Sequence, residues 1–125
     1  MAAGLATLKI LSRRPEIYDY LETIGARLED GVREIAAARP GALSLNRVGS
    51  MATLFFHPGP VRNWDDASRS DRARFAAYHR AMLDRGVYMP CSQFEAFFLN
   101  AAMTDCQIDW TVGAMEEAVD IALQA

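Results

Sequence analysis

From Ile17 onward, apolar residues recur at Ile17, Leu21, Ile24, Leu28, Val32 and Ile35, at spacings of three and four. That spacing predicts one apolar stripe on an α-helix about five turns long. Pro15 suits the first turn of that helix, where a missing N–H costs nothing. Glu16, Asp19, Glu22, Glu29 and Asp30 lie off the stripe, and Pro40-Gly41 ends it. A helix with so long an apolar face must bury it against a second layer of structure. The chain has 125 residues, 51% of them hydrophobic and 23% charged, which suffices for one such core and one domain, spanning 1–125.

The rest of the chain predicts what covers the stripe. Met1–Leu11 is apolar and helical in character. Leu43–Val48 and Met51–His57 read as two short strands, with Gly49-Ser50 between them as a hairpin or a bulge. Leu54-Phe55-Phe56 shows no alternation, so that strand is expected to be covered on both faces. Val61–Arg69 reads as a polar loop containing Trp64. Ser70 is the expected cap of a third helix, with Asp71 in its first turn and Phe75, Tyr78, Met82 and Leu83 on its buried face. Gly86 is placed for a left-handed residue at that helix's end. Val87–Met89 and Phe94–Leu99 read as further strands. Thr104 and Gln107 form a capping box for a last helix with Ile108, Val112, Met115, Val119 and Leu123 on its stripe. The expected fold class is α+β, a small, mainly antiparallel sheet packed with helices.

Composition narrows the function. A net charge of −3 argues against nucleic acid as a partner. No stretch reaches the roughly 18 apolar residues that a membrane span needs. No basic segment opens the chain as in a secretory signal, so a cytoplasmic location is expected, with Cys91 and Cys106 reduced. No P-loop, GxGxxG, HExxH, CxxC or GxSxG motif occurs. His57 and His79 read as structural side chains, and two distant histidines with two cysteines do not make a metal site. One place is chemically odd. Pro90-Cys91-Ser92-Gln93 is a polar loop, and Glu95 follows inside the apolar run FEAFFL. A carboxylate there either points to solvent or lines a pocket, and the residues alone leave both readings open.

RVGSM (Arg47–Met51), SDRARFAAYHRAMLDRGVYMPCSQFEAFF (Ser70–Phe98) and the spacing to the last helix resemble the C-terminal part of glutamate-1-semialdehyde 2,1-aminomutase. That enzyme belongs to the class-III aminotransferase group, fold type I of the pyridoxal-phosphate enzymes. The family runs close to RxGSMF and then SDxxxFxxFHxxMLxRGVYLAPSQFEAxFxSxAHT. The resemblance spans nearly the whole chain and is most specific at GVYMPCSQFEA (Gly86–Ala96).

The resemblance implies the C-terminal small domain of such an enzyme, with the large pyridoxal-phosphate-binding domain outside this sequence. The family's catalytic lysine lies upstream of the matched part, and Lys9, the single lysine here, does not match its GK motif. No catalytic residue, and no pyridoxal phosphate bound to this chain alone, is therefore expected. The parent activity would be amino-group isomerisation of glutamate-1-semialdehyde to 5-aminolevulinate in tetrapyrrole (porphyrin) biosynthesis. The implied partners are the large domain and a second copy, since the family is homodimeric. Glu95 matches the glutamate of SQFEA, which in the family reaches toward the active site. Ser92 and Gln93 match the same loop, so the three are substrate-pocket candidates. Phe97, Asn100, Met103 and Cys91 depart from the family pattern. These departures leave open another class-III transaminase, such as one for β-amino acids, and the missing cofactor lysine leaves open a stand-alone, non-catalytic interaction module.

Overall fold

A computed structural model describes all 125 residues. The elements are α1 (Ala2–Arg13), α2 (Glu16–Ala38), β1 (Ser44–Val48), β2 (Met51–Phe55), α3 (Trp64–Ser68), α4 (Arg72–Asp84), β3 (Phe97–Phe98) and α5 (Asp105–Gln124). The strands form one antiparallel sheet in the order β1-β2-β3. Helix α2 packs on β1 and on α5, and α5 packs on α4. The architecture is the expected α+β layer of helices on a small sheet.

The stripe on α2 performs as its spacing requires. Ile24, Leu28, Val32 and Ile35 are buried, whereas Ile17 and Leu21, nearer the helix start, are half-buried. They meet Leu54 and Phe56 from the sheet side, Tyr78 and Met82 of α4, and Ile108, Met115 and Val119 of α5. Burial contributes roughly 1.5–3 kcal/mol for each large aliphatic side chain. Along Leu54-Phe55-Phe56 the side chains alternate between two cores. Leu54 and Phe56 join the main cluster, while Phe55 packs with Val61 and Ala67. That second cover is α3, in a segment that reads as loop. Its signal is Asn63, whose side chain accepts the Asp66 N–H at 2.9 Å, followed by two acids in the first turn.

Turns behave as their residues dictate. Gly49-Ser50 forms a two-residue hairpin, pairing Val48 with Met51. Only Gly49 has positive φ (57°), which fits the primed turn with glycine first. Gly86, at φ 75°, ends α4. Its N–H donates to the Leu83 carbonyl at 2.9 Å, and the Val87 N–H donates to the Met82 carbonyl at 2.9 Å, a Schellman closure.

Four further expectations change. Val87–Met89 is not a strand: the Val87 N–H is spent on closing α4, and Pro90 has no N–H to pair. The Phe94–Leu99 strand shrinks to Phe97–Phe98, because Ser92–Glu95 turns instead. There the Ser92 carbonyl accepts the Glu95 N–H at 3.1 Å, and its hydroxyl accepts the Phe94 N–H at 3.3 Å. Leu83 is 42% exposed rather than buried. Asp71, not Ser70, caps α4, accepting the Ala73 and Arg74 N–H groups at 3.0 Å each. The Asp71 N–H in turn donates to the Phe56 carbonyl at 2.9 Å, tying the start of α4 to the end of β2. Ser70 is buried and its hydroxyl has no partner. Thermal unfolding should separate the two roles. Asp71→Ala is expected to lose about 1 kcal/mol, as for other N-caps, whereas Ser70→Ala should cost little, since no bond is lost.

Candidate functional site

The loop between α4 and β3 carries all three sequence candidates. Gln93 is buried, 2% exposed, Ser92 is half-buried, and Glu95 is exposed on the turn that leads into β3. The three line one small cavity of about 10 Å³, together with Leu54, Phe75, Tyr78, Met89, Pro90 and Phe97. The loop is anchored at both ends. The Met89 carbonyl lies 3.1 Å from His79 Nε2, and Phe94 packs on Trp64 of α3 with ring centroids 5.2 Å apart. On the far side, the Leu99 N–H donates to the Ser50 carbonyl at 2.9 Å, docking the loop's exit onto the hairpin. The cavity's lining brings the exposed Glu95 together with the buried Gln93 and Tyr78. Tyr78 escapes a sequence reading because an aromatic at that helical position looks like core. It is fully buried, and burial pushes its phenol well above the ordinary range.

The other chemically suggestive residues lie apart. His57 Nδ1 sits 2.9 Å from the Gly59 carbonyl in the turn after β2. Cys91 and Cys106 are exposed and free. No cluster of His, Cys, Asp or Glu has metal-holding geometry. Lys9 is exposed on α1, a helix with no buried residue. A cofactor lysine needs a desolvated pocket with anion anchors around it. The residues around Lys9 do not fit pyridoxal phosphate.

The densest electrostatics lie at the hairpin, on the RVGSM motif. Arg47, its side chain 11% exposed, donates from Nε to Glu29 at 2.6 Å and from Nη2 to Glu22 at 2.8 Å. Its Nη1 reaches the Gly49 carbonyl at 2.7 Å. The guanidinium holds both glutamates below the usual carboxylate range, Glu22 and Glu29 alike responding first to the hydrogen bond from Arg47. Arg47 thus fastens the β1–β2 turn to α2. Further arginines clasp α5: Arg27 of α2 binds Asp109 at 2.5 and 2.7 Å, and Arg39, the C-cap residue of α2, binds Asp120 at 2.6 and 2.8 Å.

No protein-family model matches the chain. Curated relatives do. Glutamate-1-semialdehyde 2,1-aminomutase of Sorangium cellulosum is 50% identical over 119 residues, 95% of this chain and 27% of its own length. That of Thermus thermophilus is 48% identical over 119 residues, with 28% of its own length covered. That of Desulforudis audaxviator is 49% identical over 123 residues, 98% of this chain. Along almost its whole length this chain is similar to the C-terminal part of glutamate-1-semialdehyde 2,1-aminomutases. The aminomutase-type domain spans only about 27% of the length of those relatives. Solved structures agree on the fold. An omega-transaminase from Sphaerobacter thermophilus matches with a TM-score of 0.78 at 23% identity, covering 97% of this chain and 27% of that one. A glutamate-1-semialdehyde aminomutase from Pseudomonas aeruginosa matches with a TM-score of 0.75 at 19% identity, over 86% of this chain and 24% of that one.

Proposed function

We propose that this chain is the C-terminal domain of an enzyme that isomerises glutamate-1-semialdehyde to 5-aminolevulinate, and that it is not catalytic alone. The observation that carries the reading is identity of 50% across 95% of the chain to an aminomutase. The fold by itself is shared with transaminases, so it does not choose the substrate. Pyridoxal phosphate, held by the large domain, supplies the amino-group chemistry. The residues here contribute one wall of the substrate site: Glu95 at the mouth, with Ser92 and Gln93 shaping the loop behind it. A carboxylate so placed can hold or move a proton at the substrate amine.

The exposed apolar surface supports a docked state. Met1, the N-cap residue of α1, and Leu5 and Leu8 on α1 recur at spacings of four and three, with Leu5 56% and Leu8 67% exposed. The large domain of the same enzyme covers this face in the proposed assembly, a cytoplasmic homodimer serving tetrapyrrole synthesis. No helix is long and apolar enough to cross a membrane.

The test is turnover of the full-length enzyme. Glu95→Gln is expected to lower kcat for 5-aminolevulinate formation by about a hundredfold, the low end for loss of a positioned acid–base group. Unchanged turnover overturns the role of Glu95. A wild-type enzyme that transaminates β-amino acids but leaves glutamate-1-semialdehyde untouched overturns the substrate, in favour of the reading suggested by the departures at Phe97, Asn100 and Met103.

A further inference from the structure

Buried polar groups without partners are scarce in folded proteins, because each forfeits its hydrogen bonds to water. Here the Tyr78 hydroxyl and both polar atoms of the Gln93 amide are buried and unpartnered. Tyr78 is 0% exposed and Gln93 2%. They come from different elements, α4 and the loop after it, yet both line the same cavity. Its volume, about 10 Å³, is that of about one water-sized probe. The remaining walls are largely apolar: Leu54, Phe75, Met89, Pro90 and Phe97. A cavity that small admits no organic ligand, and unpartnered polar side chains in its lining favour a water inside it.

We propose that this cavity is a built site for a single buried water, held between the Tyr78 hydroxyl and the Gln93 amide. The phenol donates to the water, and the water donates to the amide carbonyl of Gln93. The bridge joins the rigid helix α4 to the loop of Ser92 and Glu95, and so makes Tyr78 and Gln93 positioning residues for that loop. The loop's own bonds, Phe94 N–H to the Ser92 hydroxyl and Glu95 N–H to the Ser92 carbonyl, are local and exposed. The His79 contact to the Met89 carbonyl and the packing of Phe94 on Trp64 hold the loop on either side of Gln93, and the water adds a tie at Gln93 itself. The water site does not depend on the proposed activity, because it follows from two buried, unpartnered polar side chains lining one water-sized cavity.

A crystal structure of the 125-residue chain at a resolution that orders internal solvent is expected to show one water within hydrogen-bond distance of both Tyr78 Oη and the Gln93 amide. A dry cavity, or a Gln93 amide bonded directly to Tyr78, overturns the proposal. Unfolding and exchange supply an independent arm. Tyr78→Phe and Gln93→Leu should each lower the thermal midpoint. The double variant should lower it by less than their sum, since the second change removes a group already left unsatisfied. Amide exchange at Phe94 and Glu95 should quicken in Tyr78→Phe. Strict additivity, with unchanged exchange at those two amides, counts against a bridging water.

Discussion

Arg47→Met is expected to destabilise the domain by roughly 2–3 kcal/mol, somewhat below the cost of stripping one partner from a fully buried pair. The discount follows from Glu22, whose side chain is 56% exposed and can rehydrate. Glu29 is different. Its side chain is only 20% exposed and would keep a single partner, Arg33 at 2.7 Å. The Gly49 carbonyl would also lose its 2.7 Å donor. Methionine retains the apolar stem, so the change isolates charge and hydrogen bonding from packing. Chemical denaturation at neutral pH measures the loss.

The same variant carries a pH signature. Arg47 depresses both glutamates in the folded state, so their contribution is present above the unfolded carboxylate pKa, about 4.3. It disappears as pH falls through the lower folded values. Wild-type stability should hold at neutral pH and decline from about pH 4.5 downward. Arg47→Met should decline less steeply over that range, because less depression remains to be lost. Parallel slopes in the two proteins would mean that Arg47 does not set the protonation of these glutamates.

Gly25→Ala is expected to cost about 2–3 kcal/mol, although alanine gains up to about 1 kcal/mol over glycine in helix propensity. A Cβ on Gly25 would stand 2.6 Å from the Gly49 carbonyl oxygen and 3.0 Å from Arg47 Nη1. The first obstacle is backbone of the hairpin turn, which cannot rotate aside. Helix α2 and the turn would have to separate, and that separation breaks the Arg47 junction as well. The two substitutions should therefore be strongly non-additive, since they disrupt one contact. Gly31 supplies the contrast. A Cβ there would meet the Val112 side chain at 2.5 and 2.9 Å, with side-chain atoms nearest and no backbone in the way. Val112→Ala should rescue Gly31→Ala in thermal unfolding, whereas no neighbouring side-chain truncation should rescue Gly25→Ala.

Glycine inside an apolar helical stripe reads as a mild weakness in sequence. Only the approach of the hairpin turns Gly25 into a requirement. The candidate loop divides the same way. The polar run Ser92-Gln93 and the stray Glu95 stand out in the sequence because carboxylates and amides are costly among phenylalanines. Burial could not be assigned from the run itself, since Gln93 is enclosed while Glu95 two positions later is exposed. Tyr78 could not be singled out at all, because it occupies an ordinary core position on α4.

What the sequence determined alone is what local interactions govern. The stripe of α2, the capping box at Thr104 and Gln107 and the glycine closure of α4 all involve atoms a few residues apart. The 11-residue core of the resemblance, Gly86–Ala96, pointed to the aminomutases in the same one-dimensional way. Tertiary structure decided the rest. Phe56, by accepting the Asp71 N–H, accompanies a cap at Asp71 rather than at Ser70. The hairpin, by pairing only Phe97 and Phe98, limited a six-residue apolar run to a two-residue strand. Arg47 found its glutamates 18 and 25 residues away. Those outcomes depend on which surfaces meet after the helices pack on the sheet, and no local propensity encodes that meeting.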